Sequence, residues 1–259
     1  MFLSNLSSLK SNSPAPAYGL TCAGSSASLA IGSISPGELV TLFGNGLGPP
    51  QGVQPRVVAP DPYPTRLANV QATFDGTPAP LLWVQDGQIN LVAPWSLIPG
   101  QNTQVCVSYN NVSTNCLTLT VVQTTPAVFL VDGRYAAALN QDGTYNSAGN
   151  PAVPGSFVTV YATGLGPISP SQPDGSRIGL PLPVNNLAFG VEAIYTIGIP
   201  NGREFDVPFE VQYAGPAPTL VAGVSQINFR IAPYASYGAI YVHLGSTFSP
   251  GFSIYVAGQ

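Results

Sequence analysis

The stretch PGELVTLFGNGLGP, residues 36–49, decides the fold, because the chain repeats it as PGSFVTVYATGLGP at residues 154–167. Glycines at alternate positions after an apolar run could form a phosphate-binding loop. However, Pro49 stands where a dinucleotide fingerprint needs its third glycine, and Ala162 replaces the first glycine in the second copy. No lysine followed by serine or threonine closes either loop. We therefore interpret each copy as a strand that ends in a tight glycine-rich turn.

A second pair of similar stretches indicates an internal duplication. APLLWVQDGQINLVAPWS at residues 79–96 resembles APTLVAGVSQINFRIAPYAS at residues 217–236, and both contain Gln-Ile-Asn followed by Ala-Pro. The second copy carries about 20 more residues between its two repeated stretches than the first copy does. Self-similarity of this kind is typical of repeated structural units.

The remaining sequence predicts strands and turns. Asp75-Gly76 lies between two apolar runs, and Asn201-Gly202 does the same in a segment near residues 190–213, so both dipeptides predict hairpins. In the second hairpin, apolar and polar residues alternate from Phe205 to Tyr213, and Pro208 favours an edge strand. The 27 prolines and 28 glycines weigh against helices.

Short strands separated by turn signals predict an all-β fold made of β-sandwiches. We expect two tandem Ig-like β-sandwich domains derived from the internal duplication, at residues 24–123 and 126–259. The extra hairpin near residues 190–213 lengthens the second domain. Residues 1–23 are expected to form an extended N-terminal tail.

The composition excludes some functions. Charged residues make up 7% of the chain, against roughly 25% in an average domain. The seven basic residues are scattered singly and leave no basic stripe, so no nucleic-acid partner is expected. No apolar run reaches 18 residues, so no membrane span is expected. A charge-poor surface is typical of proteins in assemblies or outside the cell, although a family can also simply use uncharged polar surfaces.

The cysteines predict one disulfide. Cys106 and Cys116 flank a hairpin turn at Asn110-Asn111, and a bond between them suits an oxidising compartment. A two-residue turn would place Cys106 opposite Asn115, so the bond requires a one-residue offset, from a bulge or a three-residue loop. Cys22 is then the unpaired thiol, the alternative being that Cys22 pairs with one of the other two.

No metal, cofactor or catalytic site is expected. The chain lacks a CxxC motif and has a single histidine, His243, in a strand pattern. It also lacks the G-x-S-x-G motif of a nucleophile elbow, so we do not expect an enzyme. Residues 140–146 place oxygen ligands at alternate positions but lack the closing glutamate of a calcium loop, and a hairpin turn is the preferred interpretation.

The repeated stretches, together with AAALNQDGTYNSAGNPAVPGSFVTVYATGLGP at residues 136–167, resemble a known family. The family comprises uncharacterised C-terminal domains of secreted Acidobacteria proteins and was first described from Solibacter. The resemblance extends from Ala27 to the C-terminus. It implies an exported, Ig-like module and no catalytic residues. The extra hairpin near residues 190–213 departs from the family pattern.

The first functional hypothesis is a secreted structural protein of the extracellular space or cell surface. In this hypothesis the chain polymerises with itself through head-to-tail contacts into a filament or surface assembly, and its tail docks on the sheet edge or groove of a neighbouring subunit. The tail residues expected to make this contact are Phe2, Leu3, Leu6, Leu9, Tyr18 and Leu20.

The alternative hypothesis is an adhesin or a carbohydrate-binding accessory module, with glycans as partners. Trp83 and Trp95 are the candidate sugar platform, as aromatic residues expected to be exposed. Because both lie beside the first Gln-Ile-Asn strand, a place in the sandwich core or in a contact between domains is the competing and preferred explanation for both tryptophans.

Overall fold

The computed structural model describes residues 19–58, 60–169, 171–179, 186–187, 192–198, 204–232 and 239–258. These residues form antiparallel sheets and contain no helix, which confirms the all-β expectation. The tail residues Phe2, Leu3, Leu6, Leu9 and Tyr18, for which we predict a docking role, lie outside the described residues.

The first half forms two four-stranded sheets with the orders β1-β2-β6-β5 and β4-β3-β7-β8. Val40 and Leu42 from the first sheet and Val105 and Val107 from the second belong to one buried core. Side chains alternate along a strand, so the residues between them point away from that core. The strands are β1 Gly19–Ser25, β2 Leu39–Asn45, β3 Val70–Phe74, β4 Thr77–Pro78, β5 Leu81–Gln85, β6 Gln88–Val92, β7 Asn102–Tyr109 and β8 Val112–Thr120.

Strand β1 begins inside the segment that the sequence analysis assigns to the tail. Residues 19–23 pair with β2, and Leu20 is 5% exposed and packs in the first core. A bulge between Leu20 and Cys22 breaks the alternation, so Leu20 and Ala23 are both buried although they are three positions apart. Because Leu20 contributes to the core of its own chain, it is not free to dock on a neighbour.

The predicted disulfide is present between Cys106 and Cys116, which lie opposite each other in β7 and β8 with their Cα atoms 4.4 Å apart. Asn110 and Asn111 have φ values of 50° and 66°, as a two-residue hairpin turn requires. The register shifts between Cys106 and Ser108, which supplies the predicted one-residue offset as a bulge. Cys22 is a free, partly buried thiol.

The second half contains a five-stranded sheet with the path β10-β11-β17-β16, on which β9 also pairs with β11. A four-stranded sheet, β15-β14-β18-β19, shares its core, and β12 pairs with β13. The strands are β9 Ala127–Val128, β10 Ala138–Asn140, β11 Phe157–Thr163, β12 Ile168–Ser169, β13 Asn186–Leu187, β14 Glu192–Gly198, β15 Glu204–Pro208, β16 Val211–Pro216, β17 Ser225–Arg230, β18 Ile240–Leu244 and β19 Thr247–Phe248.

The extra hairpin is formed by β14 and β15, and its turn lies outside the described residues. The alternating arm from Phe205 to Tyr213 is two strands rather than one, since β15 ends at Pro208 and β16 joins another sheet from Val211. Proline has no N–H to continue a ladder, and Phe209, which follows it, is buried in the second core. Because β15 is an edge strand, the edge position expected for Pro208 is confirmed.

The central strands of the two halves pair in the same register. Thr41 of β2 lies opposite Asn90 of β6, and Thr159 of β11 lies opposite Asn228 of β17. Each repeated stretch is a strand, as expected, and the equivalent Gly46 and Gly164 that follow have φ values of 70° and 73°, which only glycine adopts easily.

The halves are joined by an apolar cluster and by backbone contacts. Leu39 and Val92 from the first half pack with Ala217, Val221 and Val224 from the second. The backbone N–H of Leu39 donates to the Thr163 hydroxyl over 2.8 Å. The end of the first sheet at Leu39 and Val92 is therefore covered by the second half. Leu82 of β5 packs against the same cluster, together with Phe129 and Tyr161 of the second half.

Candidate functional site

The outer face of the sheet β1-β2-β6-β5 carries polar and aromatic side chains in two cross-strand rows. Trp83 lies opposite Asn90, which lies opposite Thr41, and Gln85 lies opposite Gln88, which lies opposite Phe43. Directly opposite residues share a face of a sheet. We call this surface the Trp83 face; its residues are Thr41, Phe43, Trp83, Gln85, Gln88 and Asn90.

An open groove of about 500 Å³ lies over the Trp83 face. Four residues of the face line it, and the other lining residues are Ser26, Leu39, Gln54, Leu82 and Phe129. Phe129 comes from the second half, so both halves contribute to the wall. None of the lining residues is charged, and the groove therefore offers amide, hydroxyl, aromatic and aliphatic groups.

Hydrogen bonds fix the polar side chains of the Trp83 face. The Thr41 and Ser26 hydroxyl groups are 2.9 Å apart, and the Thr41 hydroxyl donates to Asn90 Oδ1 over 3.3 Å. Gln88 Nε2 donates to the same Asn90 oxygen over 2.8 Å. Among the described residues, Asn90 Nδ2 and Gln88 Oε1 have no hydrogen-bond partner. A pre-arranged amide donor and an amide acceptor are thus available to a ligand in the groove.

The Trp83 ring packs closely against Gly52. A Cβ atom at Gly52 would lie 1.7 Å from Trp83 Cζ2, so the ring occupies the space that any other residue at position 52 would fill. The Trp83 side chain remains partly exposed. A fixed, partly exposed indole ring provides an apolar surface for stacking at low entropic cost.

Trp95, the other candidate platform residue, lies elsewhere. Its backbone N–H donates to Asp174 Oδ1 in the second half over 2.9 Å, and its ring packs against Gly37. Its indole nitrogen is buried without a partner among the described residues. The structure thus separates the two tryptophans: Trp83 lines the groove, and Trp95 belongs to the contact between the halves.

Glu38 is a buried carboxyl group at the same contact, and the sequence analysis did not single it out. Its Oε2 atom accepts hydrogen bonds from the Ser35 backbone N–H over 2.9 Å and from the Thr125 hydroxyl over 2.6 Å. Removal from water raises its pKa to about 7, against the opposing effect of these hydrogen bonds. One signal was visible: Glu38 is the one charged residue in the first repeated stretch, and Ser156 takes its place in the second.

The residues that the sequence suggested for catalysis or calcium binding make contacts within their own strands and turns. His243 lies in β18 and stacks on Phe248 with ring centroids 4.6 Å apart. Asp142 accepts two hydrogen bonds from Thr144 within the turn after β10, in agreement with the hairpin interpretation.

In the described part of the chain, no three residues among His, Cys, Asp and Glu lie close enough together to bind a metal ion. The same part contains no helix of the length and apolarity that a membrane span requires.

Comparison with known proteins finds one family match. Residues 25–121, less than half of the chain, match the family described as the IPT/TIG domain, so this part of the chain is similar to that family. No curated protein matches the chain in sequence. A solved structure with distant similarity is a surface glycan-binding protein from Prevotella bryantii, with 13% identity and a TM-score of 0.27. The alignment covers 94% of this chain but 42% of that protein.

Proposed function

We propose that the chain is a secreted binding module for uncharged carbohydrates and that the Trp83 face is its binding surface. The observation that carries the proposal is the groove itself, where a fixed indole ring lies beside an unpaired amide donor and an unpaired amide acceptor without any charged side chain. Sugar hydroxyl groups both donate and accept hydrogen bonds, and the C–H faces of sugar rings stack on aromatic surfaces. The module binds and does not catalyse.

The proposed fold is a tandem of two Ig-like sandwiches that arose by duplication. The shared register of the Thr–Asn pairs in the two halves supports it, as does the repetition of both stretches in the sequence. Secretion is supported by the Cys106–Cys116 disulfide and by the resemblance to the Acidobacteria family.

Replacing Trp83 with alanine tests the proposal. We expect the Trp83→Ala variant to bind its sugar about tenfold more weakly or worse, because a central aromatic contact commonly contributes at least 1.4 kcal/mol. A glycan array would identify the sugar, and calorimetry on the purified chain would measure its affinity.

The matched control is Phe248→Ala, which removes a 50% exposed ring from a different sheet. It should bind as the unaltered chain does. A chain that binds no neutral glycan, or a Trp83→Ala variant with unchanged affinity, would show that the proposal is wrong.

Self-assembly through the tail is the second candidate function, and a groove at the edge of the first half favours it. Strands β1 and β8 are the outer strands of their sheets, and the Asn115 side chain connects them. Its Oδ1 atom accepts from the Leu20 backbone N–H over 2.8 Å, and its Nδ2 atom donates to the Leu20 carbonyl oxygen over 3.0 Å. A groove of about 340 Å³ runs beside them. Its lining is partly apolar and includes Ile31, which is 68% exposed, and Leu117. An edge with such an apolar border suits an added strand from a neighbouring copy.

Deleting residues 1–18 tests this second candidate without disturbing β1. If residues 2–9 of one copy occupy the β1–β8 groove of the next, the full chain should sediment as polymers and the shortened chain as single subunits. Electron microscopy of both samples would show the same difference. Polymers of equal length from the two chains would exclude a role for the tail.

A further inference from the structure

The second half presents a face of the same chemistry as the Trp83 face. On the outer side of the sheet β10-β11-β17-β16, the Thr159 hydroxyl donates to Asn228 Oδ1 over 3.0 Å, and Gln226 Nε2 donates to the same oxygen over 3.0 Å. This repeats the arrangement of Thr41, Gln88 and Asn90 group for group. Asn228 Nδ2 and Gln226 Oε1 again have no partner among the described residues.

The aromatic positions are repeated as well. Tyr213 lies opposite Asn228, as Trp83 lies opposite Asn90. Tyr161 lies opposite Gln226, as Phe43 lies opposite Gln88. The polar triad therefore has an aromatic ring in the same two places in both halves, although the ring types differ.

A further tyrosine extends this second face. Tyr145 bridges to Leu139, which lies opposite Thr159, so one cross-strand row leads from Tyr145 through Leu139, Thr159 and Asn228 to Tyr213. Strands in a sheet are about 4.8 Å apart, so this row spans roughly 19 Å. Tyr145 is 82% exposed, which is unusual for a ring that serves only packing. We call the surface formed by Tyr145, Thr159, Tyr161, Tyr213, Gln226 and Asn228 the Tyr213 face.

Packing alone does not account for the repeated polar triad. The core side of the same strands is complete, since Val158, Val160, Ile227 and Phe229 are fully buried there. The backbone ladder already joins β11 to β17 over six residue pairs. In both halves the asparagine oxygen accepts two hydrogen bonds, and the amino group, on the partly exposed side of the sheet, has no protein partner within the described residues and is accessible to a ligand.

The charge of the Tyr213 face is balanced. Arg230 lies at one end, where its guanidinium group bonds Glu210 over 2.8 Å and lies 4.5 Å from the Phe157 ring centroid. Because Glu210 neutralises Arg230, the face offers no net charge that would favour an acidic ligand. Its chemistry matches an uncharged polyhydroxylated ligand, as that of the Trp83 face does.

We propose that the Tyr213 face is a second carbohydrate-binding site, so that each chain binds two uncharged sugar segments. This inference rests on the proposed function of the Trp83 face. Each half then carries one site on the same sheet of its sandwich, and an extended polysaccharide could be held at two points, which raises its overall affinity without any new contact.

The test is the number of sites measured by calorimetry. Short neutral oligosaccharides, such as cellotetraose, xylotetraose and maltotetraose, are titrated into the full chain, and the sugar that binds is used further. We expect two sites per chain, one of them weakened at least tenfold in the Trp83→Ala variant, the other weakened at least tenfold in Tyr213→Ala, and both weakened in the double variant. Tyr145→Ala, which removes a mostly exposed ring and spares the fold, should weaken the second site at least threefold. Phe248→Ala should keep two sites.

The outcomes separate this inference from the function on which it rests. One site in the full chain, lost entirely in Trp83→Ala and unchanged in both tyrosine variants, would overturn the second site and leave the first intact. No binding of any neutral glycan would overturn the proposed function and the second site together.

Discussion

The free energy of unfolding is expected to fall by on the order of 3 kcal/mol as the pH rises from below 4.5 to above 7, because of Glu38. Its pKa is about 7 in the folded chain and 4.5 in the unfolded chain. Below pH 4.5 both states hold the proton, and the stability is complete. Between the two values the unfolded chain loses the proton and the folded chain keeps it, so stability declines until both are ionised.

The cause is the burial of a carboxyl group with one unsatisfied oxygen. Glu38 is fully buried, and its Oε1 atom has no hydrogen-bond partner among the described residues. Every group that alters its pKa, apart from burial itself, is an uncharged hydrogen-bond donor. Ionisation therefore leaves a buried negative charge without a counter-charge, which is costly.

The Glu38→Gln variant should remove this pH dependence. The amide oxygen of glutamine can still accept from Ser35 and Thr125, and the side chain has no proton to release. The free energy of unfolding of Glu38→Gln can be measured with urea at pH 4.5, 6 and 8. It should be similar to that of the unaltered chain at pH 4.5 and larger than that of the unaltered chain at pH 8.

Glu210→Gln is the control, since it removes an exposed carboxyl group that pairs with Arg230. It should leave the decline between pH 4.5 and 7 in place. The exposed Asp75, Asp132 and Asp142 have pKa values lowered by hydrogen bonds and act in the opposite direction, with stability lost as the pH falls toward acid. A decline that persists in Glu38→Gln would assign the effect to another group.

Local signals in the sequence were sufficient for many elements of the fold. The repeated stretches predicted the strands β2 and β11, and the spacing of the cysteines predicted a one-residue offset between β7 and β8, from a bulge or a three-residue loop. Each of these features depends on residues close together in the chain. Strand β1 was missed because its bulge at Thr21 breaks the alternating pattern that identifies a strand.

The candidate site could be predicted only in part. Trp83 was identified as an exposed aromatic, but its separation from Trp95 depends on how the two halves pack together. The Gln-Ile-Asn repeat was recognised as a sign of duplication and not as part of a site. Its amides meet the threonine of the other repeated stretch only when β2 pairs with β6, a contact between residues about 50 positions apart.

Replacing Gly37 with alanine should lower the free energy of unfolding by about 2 to 5 kcal/mol, because two costs add at this position. Gly37 has a φ of 72°, a conformation that costs a residue with a side chain about 1 to 2 kcal/mol. Its added Cβ would also lie 2.0 Å from the Trp95 ring. The ring cannot retreat freely, since the Trp95 backbone is bound to Asp174 in the second half.

The duplication supplies a matched control for this prediction. Gly155 is the equivalent residue in the second copy and has a φ of 85°, but an added Cβ would meet no atom within 4 Å. Gly155→Ala should therefore cost only about 1 to 2 kcal/mol of backbone strain. Urea unfolding gives the free energy of unfolding of both variants, and the difference between them is the cost of the clash with the Trp95 ring. Tryptophan fluorescence should change in Gly37→Ala alone, because only there is the ring displaced. Equal losses in the two variants would mean that the Trp95 ring does not limit the space at Gly37.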